Sequence, residues 1–153
     1  MNPFLLTQPD QIQIQTTLEE LCRQKKYTLL YFYPKDDTSG CTLEAQGFDA
    51  LIPQFEALDA QVIGISKDSH ESHCKFQKKY GLTIPLIADT DLVLVSDPRF
   101  DVRKEKSMYG RKYMGVIRTS FLLDHDATII YKREDVKPAL HPQEVLEYIK
   151  SLG

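Results

Sequence analysis

Residues 27–33, Tyr-Thr-Leu-Leu-Tyr-Phe-Tyr, form a nearly unbroken, β-prone apolar run that stops at Pro34. A strand that is apolar at consecutive rather than alternate positions is covered on both faces, which places it centrally in a sheet packed by helices. The segment that follows, Pro34-Lys35-Asp36-Asp37-Thr38-Ser39-Gly40-Cys41, is punctuated by turn formers and leads into a helix-like stretch. Cys41 is therefore expected near a helix N-terminus, where unpaired backbone N–H groups and the helix dipole favour a thiolate. Without those neighbours, a lone cysteine is more simply read as a small buried hydrophobe.

The rest of the chain alternates between helical and strand-like periods. Residues 2–15 read as a short irregular or extended opening, and Thr16 or Thr17 can cap a brief helix through Glu19, Glu20 and Leu21. One helix is expected from the region of Thr38–Cys41 to Ala57, with Phe48, Leu51, Ile52 and Phe55 on its inner stripe. Residues 61–66 read as a strand, and Asp68 or Ser69 caps a helix that ends at Gly81. Residues 84–88 form a short strand in which Pro85 disfavours full pairing. Residues 119–123 and 128–131 read as a hairpin, and Pro142 opens an amphipathic helix with Val145, Leu146 and Ile149. Residues 89–115, with an Asp97-Pro98 turn and a polar run from Arg103 to Ser107, read as a surface excursion. Together these elements predict an α/β fold, a mixed sheet with helices on both faces.

A length of 153 residues fits one domain, 1–153, that buries well over half of its unfolded surface. The net charge of −3 gives no broad attraction to nucleic acid or to an anionic membrane, and no apolar run approaches the ~20 residues of a membrane span. The polar residues Gln8, Asp10, Gln11, Gln13 and Gln15 interrupt the N-terminal hydrophobics, so no signal peptide is read there. Cys22, Cys41 and Cys74 are too few for a disulfide scaffold and suggest cytoplasmic thiols. His70, His73 and Cys74 are close on one helix, but no second cluster completes four ligands; partly exposed polar residues suffice to explain them, and no metal is expected. The glycines form no Gly-x-Gly-x-x-Gly loop, so no dinucleotide or other cofactor is expected.

The Pro34, Thr38, Cys41 spacing resembles the Pro-x-x-x-Thr-x-x-Cys loop of the peroxiredoxins, thiol peroxidases on a thioredoxin-like fold. The flanking stretches Phe32–Asp36, Cys41–Ala45 and Met108–Asp124 resemble the bacterioferritin-comigratory subgroup most, and the likeness covers residues 27–150. It implies a thioredoxin-like fold whose N-terminal hairpin is trimmed here, because the usual Ala-Pro-x-Phe opening is not clear. A tyrosine-glycine-valine stretch of the family is replaced by Phe100-Asp101-Val102, which puts the local packing in question.

What the resemblance implies chemically is a hydroperoxide substrate, a thioredoxin-like or small-thiol reductant, and a monomer. Cys41 would be the nucleophile, with Pro34 shielding the loop and the Thr38 hydroxyl turned into the same pocket. Arg118, by itself readable as a surface charge, would supply the positive fork that binds developing negative charge. Glu44 can hold Arg118 or cap the first helical turn, and Lys35 is a loop charge. Oxidation gives a Cys41 sulfenic acid. The resolving cysteine that many subgroup members carry is replaced by Gln46, and the register used by others falls at Gln77, which leaves Cys74, one turn away, as the resolving candidate. Direct attack by an external thiol is the alternative, and Cys22 reads as incidental. Two further readings compete. A thioredoxin-type oxidoreductase is opposed by Thr38, which stands where its second cysteine belongs. A non-enzymatic holdase or sensor would have no need of the Pro34, Thr38, Cys41 and Arg118 combination.

Overall fold

The computed structural model describes residues 3–134 and 136–152. The Tyr27–Phe32 run is a central strand, and alternation along it sorts the core. Leu30 and Phe32 face one side of the sheet with Ile63, Ile65, Ile87 and Phe121; Leu29 and Tyr31 face the other with Val62, Leu86 and Leu122. Numbered in chain order, the elements are β1 (Phe4–Thr7), β2 (Gln13–Thr16), α1 (Leu18–Cys22), β3 (Tyr27–Phe32), α2 (Ser39–Ala50), α3 (Ile52–Ala57), β4 (Ala60–Ser66), α4 (His70–Tyr80) and β5 (Leu86–Ala88). They continue as β6 (Arg103–Met108), β7 (Arg111–Val116), β8 (Thr119–Asp124), β9 (Ile129–Arg133) and α5 (His141–Leu152).

Seven strands form a mixed sheet in the order β2-β1-β5-β4-β3-β8-β9. β3, β4 and β5 are parallel, and β8 runs antiparallel to β3 with Phe32 opposite Thr119. That register places Arg118 beside the end of β3, where the cysteine loop begins. Helix α1 and the segment before β6 cover one face; α2 to α5 cover the other. This is the expected thioredoxin-like α/β architecture. No helix among the described residues is long and apolar enough to cross a membrane.

The expected single helix to Ala57 is two. α2 ends at Leu51 (φ −101°, ψ 1°) and α3 starts anew, because Pro53 has no N–H to continue the ladder and sits instead in the first turn of α3, where none is needed. Helix α4 follows the expectation: Ser69 accepts the Ser72 N–H, and Gly81 closes the helix in the left-handed region at φ 62°. The N-terminal hairpin is short but present. β1 and β2 have four residues each and β1 pairs antiparallel with β5, so the sheet continues past the strand that would otherwise be its edge.

The 89–115 region is less of an excursion than its polarity suggests. The Asp89 carboxylate accepts the backbone N–H groups of Val93, Leu94 and Val95, and Leu94, Val95, Phe100 and Val102 are buried in the core. Asp101 takes φ 52°, a conformation glycine adopts freely and aspartate tolerates, so the packing around Phe100-Asp101-Val102 is intact. The polar run itself is a strand: β6 pairs with β7 across Tyr109 and Gly110, both at positive φ, in the manner of a type I′ hairpin turn.

Candidate active site

Thr38 is the N-cap of α2, so Ser39, Gly40 and Cys41 are its first three helical residues, whose N–H groups have no intrahelical partner. Cys41 is buried, with its side chain in the aromatic core formed by Tyr31, Tyr33 and Phe48. Arg118 enters from the start of β8. Its Nη2 donates to Cys41 Sγ at 3.2 Å and its Nη1 to Glu44 Oε1 at 2.9 Å, so one planar guanidinium spans two residues on one turn of α2. Gly40 leaves room beside the guanidinium, since a Cβ there would lie 3.3 Å from Arg118 Nη2, a tight contact.

Glu44 is fully buried, and its second carboxylate oxygen has no partner among the described residues. Burial pushes its carboxyl up to about 7 against the opposing pull of Arg118. Burial by itself would lower the Arg118 pKa, but Glu44 and Cys41 together raise it, so the guanidinium stays charged. Of the two placements expected for Glu44, the contact with Arg118 is the one present.

Pro34 is half-buried at the start of the loop. Thr38 is exposed; its hydroxyl donates to the Lys35 carbonyl at 3.1 Å and makes no capping bond, so it closes the loop on itself while its lone pairs remain available. A cleft of about 560 Å³ opens beside the loop, lined by Thr38, Ser39, Thr42, Leu43, Lys79 and Tyr80 among others.

All three cysteines are free. Cys22 is fully buried, and burial pushes its thiol up to about 11, as suits a packed hydrophobe. Cys74 is partly exposed, and desolvation with help from Glu71 raises its thiol above the ordinary value. Its Sγ lies 3.5 Å from His70 Nε2 and 3.9 Å from the Gln11 carbonyl, on the side of α4 that meets the N-terminal hairpin. The Cys41 loop meets different α4 residues: Ser72, His73, Lys79 and Tyr80. Gln77 is buried, donating to the Thr7 and Ile84 carbonyls.

Sequence reasoning missed the polar group behind the loop. His73, read above as partly exposed, is fully buried, with Nδ1 2.7 Å from Asp36 Oδ2 and Nε2 2.9 Å from the Ile87 carbonyl. Tyr33 and Ser72 also donate to the Asp36 carboxylate. One signal was available: His73 precedes Phe76 by three residues and so shares its inward stripe.

The family model described as AhpC/TSA matches residues 3–132. This chain belongs to the AhpC/TSA family. Peroxiredoxin Bcp of Xanthomonas campestris is 41% identical over 137 residues, which cover 90% of this chain and 83% of that protein. Peroxiredoxin Bcp of Escherichia coli is 36% identical over 142 residues, covering 93% and 88%. A solved Peroxiredoxin Q of Xanthomonas campestris carrying a cysteine-to-serine substitution superposes with a TM-score of 0.88 at 38% identity, covering 99% of this chain and 92% of that one. The chain is thus a peroxiredoxin of the bacterioferritin-comigratory branch, an enzyme of hydroperoxide reduction.

Proposed function

We propose that Cys41 is the peroxide-reacting nucleophile of this peroxiredoxin, on hydrogen peroxide and organic hydroperoxides. The observation that carries the reading is the Arg118 guanidinium, which donates to Cys41 Sγ at 3.2 Å from a base fixed by Glu44. The thiolate attacks the terminal oxygen of ROOH in line with the O–O bond. The S–O bond forms, the O–O bond breaks, and the leaving alkoxide takes a proton to become ROH, leaving Cys41 as the sulfenic acid. Arg118 and the N–H groups at the start of α2 meet the charge that develops on the oxygens. The Thr38 hydroxyl accepts from the peroxide O–H, Pro34 shields the loop, and the adjoining cleft has room for an organic substituent.

In the second stage the Cys74 thiol attacks the Cys41 sulfenic acid, forming a disulfide and releasing water, and a thioredoxin-like or small-thiol donor reduces the disulfide. Cys74 faces the hairpin, and a disulfide needs its Cα atoms about 5.5 Å apart, so α4 and the first turn of α2 must open. The same orientation favours a second reading in which an external thiol attacks Cys41 directly. Replacing Cys41 with Ser should abolish peroxide consumption with excess thiol at neutral pH; a wild-type rate would remove Cys41 from the role. Non-reduced peptide mapping after one equivalent of peroxide decides between the recycling routes. A Cys41–Cys74 link, with sulfinic acid accumulating in Cys74→Ser, supports the internal route, and persistent sulfenic acid in wild type supports the external one.

A further inference from the structure

The centre of the cysteine loop is held by the helix that carries Cys74. Asp36, midway between Pro34 and Thr38, is buried, and its carboxylate receives Tyr33 OH, Ser72 Oγ and His73 Nδ1. Its backbone N–H donates to Asp68 Oδ2 at 2.9 Å, and Asp68 is itself held by Ser66 Oγ at 2.6 Å. His73 is fixed at both ends. Since Nε2 faces the Ile87 carbonyl it must carry a hydrogen, and Nδ1 faces a carboxylate, so the ring and Asp36 share one further proton between them. The next residue, Asp37, sits at φ 57°, and its carboxylate accepts from Lys79 and Tyr80 at the other end of α4. Two consecutive aspartates therefore fasten the loop along α4 from Ser72 to Tyr80.

We propose that His73 is a positioning residue, which holds the Asp36 turn against α4 and so keeps Cys41 in its peroxide-reactive place. His73 touches neither Cys41 nor a substrate; it acts through Asp36. The proposal rests on Cys41 as the nucleophile and deepens that reading.

The test reads the first step alone, in a Cys74→Ser background, so that it does not depend on which thiol resolves Cys41. Single-turnover oxidation by hydrogen peroxide is followed by trapping the sulfenic acid with dimedone and weighing the intact protein. His73→Gln and Asp36→Asn should each slow oxidation at least tenfold, and Ser72→Ala, which removes one donor and keeps the His73 contact, should slow it less. Rates are taken well below the unfolding midpoint of each variant, where a merely structural His73 would leave the folded fraction reacting at the parent rate. If His73→Gln does not fold, Asp36→Asn and Ser72→Ala carry the comparison. In the reduced parent, ¹H NMR should show a far-downfield ring proton on His73 Nδ1 that Asp36→Asn abolishes. Oxidation of folded His73→Gln, or of both other variants, within twofold of the parent overturns the proposal. Loss of all peroxide reactivity in Cys41→Ser tests the underlying nucleophile assignment separately.

Discussion

Replacing Glu44 with Gln tests what the buried carboxylate does to the fold. Its carboxyl lies at about 7 in the folded protein against an ordinary 4.5, and burial is the largest cause. At about 1.4 kcal/mol per pH unit, that difference makes ionised Glu44 a liability of roughly 3 kcal/mol above pH 7. The attraction of Arg118 is already inside that figure, since without it burial would raise the carboxyl further. The sign follows from proton counting. Between pH 4.5 and about 7 the folded state holds the proton more tightly than the unfolded chain, so stability falls as pH rises and levels off above 7.

The amide cannot ionise, so this component disappears in Glu44→Gln. Its oxygen can still accept from Arg118 Nη1, but its N–H₂ takes the place of Oε2, which has no partner among the described residues. A buried unsatisfied donor costs about 1–3 kcal/mol, but protonated wild type carries the same one, its O–H at Oε2. The variant should therefore match wild type within about 1 kcal/mol at pH 5 and be roughly 2–3 kcal/mol more stable at pH 8, where only wild type holds the ionised group. Urea unfolding under reducing conditions, followed by far-UV circular dichroism across that range, measures the gap. A gap of the same size at pH 5 and pH 8 would refute the reasoning.

Arg118→Ala should lose about 2–4 kcal/mol of transition-state stabilisation, read as a fall of roughly 30- to 1000-fold in the rate of Cys41 oxidation; a folded variant that reacts normally would rule out the role. Arg118→Lys should recover little of this, because a point charge cannot reach Cys41 and Glu44 together from one planar group. Gly40→Ala should separate stability from rate. Alanine favours the helix by up to about 1 kcal/mol, while its Cβ, 3.3 Å from Arg118 Nη2, displaces the guanidinium and slows oxidation; an unchanged rate would show that Arg118 is not held so closely.

The sequence exposes what neighbours along the chain determine. β3 is recognisable from its own apolar run, and α4 from Ser69 and Gly81, because a cap and a left-handed terminus are local chemistry. The β6–β7 ribbon escapes notice because Arg103-Lys104-Glu105-Lys106-Ser107 carries no apolar alternation; its one local signal is the Tyr109-Gly110 turn. The first strand pair is equally hard to see, with Gln13 and Gln15 exposed on β2, and is fixed by pairing to β5 far along the chain. The site divides in the same way. Cys41 at a helix start can be read from its loop, but Arg118 reaches it across 77 positions and only the family resemblance singled it out. His73 was misjudged because its burial depends on Asp36, 37 positions earlier.

The two aspartates of the loop differ in what they contribute to holding it. Asp37 and Lys79 pair in solvent, both side chains more than 40% exposed, so salt and side-chain entropy leave that contact weak. Asp36 and His73 meet out of solvent, where losing the contact leaves a buried polar group unsatisfied at a cost of about 1–3 kcal/mol. The Asp36 end therefore does more than the Asp37 end to hold Pro34 to Thr38 in place. Cys74 lies one residue from His73, in the N-terminal half of α4. On the proposed internal route, Cys74 would have to leave with the segment of α4 that the His73–Asp36 contact ties to the loop.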